Sequence, residues 1–383
     1  MLSTFAVANY RSLRDVKLAL HPLTVVTGAN GSGKSNLYRA LRLLAQAADG
    51  RLAEALALEG GIPSVQWAGP SNIRQQIKRG GAIQGTARSA PLRVRFGFAA
   101  DDVAYEIALG LPAPSSSRFA FDPEIKSEIV WQKPPRRASN TWLERETAHV
   151  RAREAGGAWS QLRFAPASNR SVLAELGEPE RFPELFALRE RMRGWRFYDG
   201  FRTDGESVLR QPRISVRTGV LAHDGRDLAA ALQTIVEIGD APSLHAAIDD
   251  AFPGSTLSIL DAGDARLQLA LEIEGLLRPL SAAELSDGTL RYLCLLAALM
   301  SPRPPELLVL NEPEQSLHPD LLRPLARQIV AAAKRSQIWV ISHARALVDA
   351  LEDIGDASAL ELVREYGETR VSGQGMLDEP VWP

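Results

Sequence analysis

A single cysteine in 383 residues leaves no disulfide framework to build on. That residue, Cys294, lies in the apolar stretch from Leu293 to Met300 and reads as a small core side chain. No apolar run reaches the 18 residues that crossing a bilayer demands, and the opening Met1-Leu2-Ser3-Thr4-Phe5-Ala6 lacks the basic start and long apolar core of a secretory signal. The expectation is a soluble, cytoplasmic protein without a membrane. Charge of one sign is missing too: 44 Lys and Arg stand against 46 Asp and Glu, a formal net charge of −2, so no global field favours nucleic acid. There are no sustained heptads and no repeat of solenoid period. What is present, 45% hydrophobic and 23% charged residues, is ordinary for a globular protein and excludes wholesale disorder. A chain this long predicts one large α/β domain with an insertion, or two joined lobes.

The most informative stretch is Gly28-Ala29-Asn30-Gly31-Ser32-Gly33-Lys34-Ser35, which fits G-x-x-x-x-G-K-[ST]. It follows the apolar run Leu23-Thr24-Val25-Val26-Thr27 and opens a segment whose Leu37, Ala40, Leu41 and Leu44 recur with helical spacing. Strand, glycine loop and helix together predict a phosphate cradle, with backbone N–H groups and the helix's positive end aimed at phosphate oxygens. Gly28, Asn30, Gly31, Ser32, Gly33, Lys34, Ser35 and Asn36 are the expected nucleotide-binding residues. Lys34 would reach the β- and γ-phosphates, and the Ser35 hydroxyl would bind Mg²⁺.

Residues 1–111 read as an N-terminal lobe, with strands near Phe5–Asn9 and Val16–Leu20 and a hairpin from Leu92–Phe98 and Tyr105–Leu109. From Pro112 the composition shifts to Pro, Ser and Arg, and 112–195 reads as an inserted α+β region with a strand near Ile125–Trp131 and a helix near Pro183–Arg193. The basic run Arg189 to Arg196, with Trp195 inside it, is of a type that touches nucleic-acid phosphates, although a solvated helix end is its commoner fate. Residues 196–383 return to folded-domain composition, with paired strands at Leu257–Leu260 and Leu267–Leu271.

Late in the chain Leu307-Leu308-Val309-Leu310 runs into Asn311-Glu312-Pro313-Glu314, the way a buried parallel strand delivers polar groups at its carboxyl end. Asn311 stands where a metal-holding Asp is usual; its amide oxygen can still accept from metal-bound water, but one negative charge is lost. Glu312 is the expected general base. Ser286-Asp287-Gly288 before an apolar helix makes a second anion-binding end, or only a cap. Ile338-Trp339-Val340-Ile341 ends in Ser342-His343, which places His343 at the tip of a neighbouring strand.

In this order the elements resemble the ATPase heads of the ABC clan, in particular soluble RecF-like, SMC-like and AAA family ATPases. Asn9-Tyr10-Arg11-Ser12-Leu13 is similar to that group's opening motif, Leu285–Thr289 to its signature, Leu310–Glu314 to its Walker B strand, Ser316-Leu317-His318-Pro319 to its D-loop and His343 to its switch histidine. The resemblance implies a P-loop NTPase fold with a mixed sheet and an N-terminal antiparallel β-subdomain, and ATP and Mg²⁺ as cofactors. It implies catalysis by Lys34, Glu312 and His343, with metal held by Ser35 and Asn311. Arg11 would lie near the nucleotide, and a homodimer closing through the ATP faces would present Ser286 and Gly288 to the partner's ATP. Asn311 and Asp287 depart from the pattern, and Gln66 and Gln84 both qualify as the Q-loop glutamine. An ATPase driving a protein partner or a nucleic-acid transaction is the first reading, an ATP-gated dimerising module with little turnover the second, and a transporter ATPase the third.

Overall fold

Apolar residues crowd both faces of Leu23–Val26, Leu307–Leu310 and Ile338–Ile341, and strands of that kind belong in a parallel sheet covered by helices. The computed structural model describes residues 1–69, 92–114, 116–133, 135–162, 166–375, 379–380 and 382. Its strands in chain order are β1 (Leu2–Tyr10), β2 (Leu13–Ala19), β3 (Leu23–Gly28), β4 (Val94–Ala100), β5 (Ala104–Gly110), β6 (Glu124–Trp131), β7 (Thr141–Glu146), β8 (His149–Arg153), β9 (Trp159–Gln161), β10 (Arg196–Tyr198), β11 (Arg213–Ile214), β12 (Ser255–Asp261), β13 (Arg266–Ile273), β14 (Leu280–Ser281), β15 (Leu307–Asn311), β16 (Gln337–Ile341), β17 (Ser358–Glu365) and β18 (Glu368–Val371). The longer helices are α1 (Lys34–Ala48), α2 (Pro183–Arg193), α3 (Leu228–Ile238), α4 (Ala241–Ala251), α5 (Asp287–Leu299), α6 (Leu322–Ala333) and α7 (Arg345–Ile354). The chain divides into two units, the first formed by 1–21, 27–195 and 360–383, the second by 22–26 and 196–359. Among the described residues no helix is long and apolar enough to cross a membrane.

In the first unit an antiparallel sheet runs in the order β2-β1-β4-β5-β6-β7-β8-β9. The change of composition at Pro112 is therefore not a break in the fold. β6 pairs along β5, from Ala104 opposite Trp131 to Gly110 opposite Glu124, so the strands of 112–195 extend the N-terminal sheet. Pairing gives the open edge of β5 the backbone partners it would otherwise lack. Glu128 on β6 is wholly buried, accepts from Tyr105 Oη (3.0 Å) and Val172 N (2.9 Å), and has its carboxyl pushed above the usual range by burial. The basic run is likewise closed: Arg191 grips Asp102 at 2.8 and 3.1 Å, Arg193 meets Asp49 at 3.3 Å, and Trp195 is buried against Phe98, ring centroids 5.1 Å apart. Cations already paired inside the unit, and an indole in the core, make this the end of a packed helix and not an open basic face.

The second unit is built on parallel strands β10-β15-β16-β3. Leu308, Leu310, Ile338, Val340, Leu23 and Val25 enter one core with Leu293 and Leu296 of α5, Leu325 and Ile329 of α6, and Leu347 of α7. Each such side chain contributes about 1.5–3 kcal/mol by leaving water. Cys294 lies in this core, and burial pushes its thiol up. A small antiparallel sheet, β11-β13-β12 with β14 on β13, completes the unit.

Candidate functional site

The phosphate loop lies in the first unit. Gly28, Gly31 and Gly33 carry φ of 140°, 79° and 115°, the left-handed backbone that turns successive N–H groups toward one centre. Crowding fixes two of them further: a Cβ on Gly28 would stand 2.3 Å from Leu362 O, and one on Gly33 would stand 2.1 Å from Thr369 Oγ1. Both neighbours come from the hairpin β17–β18. Thr369 is the pin of a hydrogen-bond chain in which Asn36 Nδ2 donates to Ser12 Oγ (2.9 Å), Ser12 Oγ donates to Thr369 Oγ1 (2.7 Å), and Thr369 Oγ1 donates to Ser32 O (2.7 Å). The opening motif thus braces the loop from behind.

Lys34 is 6% exposed, and its ammonium donates to the carbonyls of Gly28 and Ala29, the latter at 3.1 Å. A phosphate would replace those carbonyls with better acceptors. α1 opens on Gly33 with no side-chain cap and no acidic residue in its first turn, so nothing on the helix competes with an anion for its positive end. The Ser32 hydroxyl is buried without a partner among the described residues, while Asn30 and Ser35 are exposed. This donor set fits a polyphosphate. Arg11 faces another task, because Glu59 binds its guanidinium at 2.8 and 3.1 Å; although burial opposes the charge, that bonding holds it above its ordinary value. Gln66 spends its amide on Leu92 O at 2.7 Å, and Gln84 lies outside the described residues. Arg364 of β17 brings a cation to the rim of the loop, with Nη1 4.0 Å from where a Cβ on Gly31 would stand.

In the second unit Val26, Ile341 and Asn311 are register partners across β3, β16 and β15, so three carboxyl ends form one row about 10 Å wide at ordinary strand spacing. Open parallel sheets bind ligands at such an edge. From Val26 the chain runs directly into Thr27 and Gly28.

Glu312 leaves β15 in a left-handed conformation (φ 49°), its N–H donating to Ile341 O at 2.7 Å and its carbonyl accepting from Arg291 Nη2 at 3.1 Å. Burial drives the Arg291 guanidinium below its ordinary value. The Glu312 carboxylate is about one-third exposed, with Oε1 3.7 Å from His343 Nδ1. Glu314 points inward instead: Oε1 accepts from Ser342 Oγ (2.7 Å), His343 N (3.1 Å) and Ala344 N (3.2 Å), and Oε2 is buried without a partner among the described residues. Asn311, Glu312 and His343 are thereby gathered at one strand edge.

Ser286 caps α5, its Oγ accepting from Thr289 N at 3.1 Å, and Gly288 has no room for a Cβ because Ser316 O would lie 2.8 Å away. Asp287 is held by Arg210 Nη2 at 2.6 Å. The signature-like turn is thus locked to the segment Ser316-Leu317-His318-Pro319. Among the described residues no cluster of three or more His, Cys, Asp or Glu could hold a metal. Mg²⁺ commonly takes only one or two protein ligands and completes its shell with phosphates and water, so it does not need such a cluster. The sequence reading missed Arg291, Thr369 and Arg364. Only the last two had a local signal, the apolar residues Leu360, Leu362 and Val363 before the turn at Tyr366-Gly367.

The family described as "AAA domain, putative AbiEii toxin, Type IV TA system" matches residues 23–349. Over 44 residues the chain is 46% identical to the OLD nuclease of Thermus scotoductus (strain ATCC 700910 / SA-01), a match that covers 12% of this chain and 8% of that protein. Among solved structures it resembles an Smc head bound to the C-winged helix domain of ScpA, with a TM-score of 0.53 and 13% identity over 98% of both chains. It also resembles an Smc head with an extended coiled coil bound to the C-terminal domain of ScpA derived from Pyrococcus furiosus, with a TM-score of 0.50 and 13% identity over 97% of this chain and 95% of that one. At such identity the likeness carries the fold alone.

Proposed function

The chain belongs to that AAA-domain family of P-loop ATPases, with an SMC-head-like fold, and on this premise we propose that it binds ATP with Mg²⁺ at Gly28–Asn36 and hydrolyses it with Glu312 as general base. Lys34 and the first-turn amides of α1 neutralise charge on the β- and γ-phosphates. Glu312 takes a proton from the attacking water, and His343 steadies the γ-phosphate from the next strand tip. Mg²⁺, when bound, would supply Lewis-acid stabilisation of phosphate charge, and Ser35 and Asn311 would be the residues to hold it. Ser286 and Gly288 of a second copy close on the same ATP, so that binding dimerises the heads and hydrolysis releases them. The released motion drives a protein partner or a nucleic-acid transaction in the cytoplasm.

The observation that carries this reading is the row Val26, Ile341, Asn311: the strand that feeds the phosphate loop is the sheet neighbour of the strand ending in His343, which in turn neighbours the strand ending in Glu312. One specific feature favours a slower alternative, an ATP-gated switch, because Asn311 removes a charge from the metal site. Phosphate release by purified protein with Mg²⁺ and ATP decides between them. We expect Lys34→Ala to lower release about 100-fold. Equal release from both proteins would overturn the enzyme reading, and ATP-dependent dimerisation without release would establish the switch.

A further inference from the structure

Glu314 is the one acidic residue of the Asn311–Glu314 tip that faces inward, and a single oxygen of its carboxylate does an unusual amount. Oε1 receives the Ser342 hydroxyl at 2.7 Å, the His343 N–H at 3.1 Å and the Ala344 N–H at 3.2 Å, and it stands 3.3 Å from His343 Nδ1. The side chain is 6% exposed, whereas that of His343 is 52% exposed. A buried, multiply bonded carboxylate is a rigid object; a half-exposed imidazole at the start of a helix is not.

We infer that Glu314 is the positioning residue of this site, fixing both the turn that carries His343 and the proton on its ring. The turn is fixed because three donors converge on Oε1 from three consecutive residues. The proton is fixed by electrostatics: Nδ1 lies 3.3 Å from Glu314 Oε1 and 3.7 Å from Glu312 Oε1, and a bare lone pair that close to two carboxylate oxygens is disfavoured by their charge. Nδ1 therefore keeps its hydrogen, and Nε2 is the nitrogen left for a ligand. Only the kinetic consequence rests on the ATPase reading above; the state of the ring does not.

The test uses full-length protein labelled with ¹⁵N at histidine, the His343 signals being assigned by their loss in His343→Gln. The wild type should show a protonated Nδ1 at alkaline pH. In Glu314→Leu the neutral ring should move to the Nε2–H form, and kcat should fall about 10-fold with KM unchanged, as when a group that orients a functional histidine is removed. Glu314→Gln should keep Nδ1–H and most of the turnover, because the three donors hold its amide oxygen in the place of Oε1. A bare Nδ1 in the wild type, or a Glu314→Leu protein whose ring signals match the wild type, would overturn the assignment. If the leucine variant does not fold, the wild-type spectrum alone decides. A wild type that shows the Nδ1 proton but releases no phosphate would uphold the positioning role and remove the ATPase reading.

Discussion

Left-handed backbone occurs in both halves of the candidate machinery, and the two halves accommodate it differently. In the phosphate loop it falls on Gly28, Gly31 and Gly33, residues without a Cβ. At the acidic strand tip it falls on Glu312 (φ 49°) and Ser316 (φ 63°), where a side chain makes that conformation unfavourable by about 1–2 kcal/mol. The loop needs only its backbone, so glycine costs it no function. The proposed mechanism needs a carboxylate at that position, and the tip's strain is tolerated because Ile341 O and Arg291 hold the Glu312 peptide on both sides.

Substitutions can break or sharpen this contrast. The largest effect is expected from Gly33→Ala, which combines φ 115° with a Cβ 2.1 Å from Thr369 Oγ1 and should lower stability by about 3 kcal/mol in urea unfolding. Unchanged stability would mean that the hairpin does not define the loop. Thr369→Ala removes the link between Ser12 and Ser32 O and should cost about 2 kcal/mol, with weaker ATP binding at unchanged overall fold. The smallest and most telling is Glu312→Gly. Relief of the left-handed strain should stabilise the protein by about 1 kcal/mol while turnover disappears; a loss of stability would show that the tip is not strained.

The same contrast explains what could be read from sequence. The loop was legible because its geometry is written locally, in three glycines, a lysine and the flanking strand and helix. The tip was legible as far as local pattern reaches, an apolar strand followed by Asn311 and Glu312. What pins each half was not: Thr369 acts on Ser32 across 337 positions, and Arg291 reaches Glu312 from an apolar helix in which it looks like an ordinary exposed charge. Glu314 lay in plain view beside Pro313, yet only the fold turns it toward Ser342. The composition break at Pro112 misled for a related reason, since prolines interrupt elements without saying whether the next strand joins the same sheet. In the basic run Arg189 to Arg196, charge was legible but the ion pairs of Arg191 and Arg193 were not.

The central claim is that the carboxylate of Glu312 removes a proton from water while the phosphate loop holds the nucleotide. Comparing ATP affinity and steady-state phosphate release in wild type and Glu312→Gln tests it most directly. The account predicts ATP binding within about twofold of wild type and release lowered by about 10²-fold or more, whereas undiminished release from Glu312→Gln would contradict it.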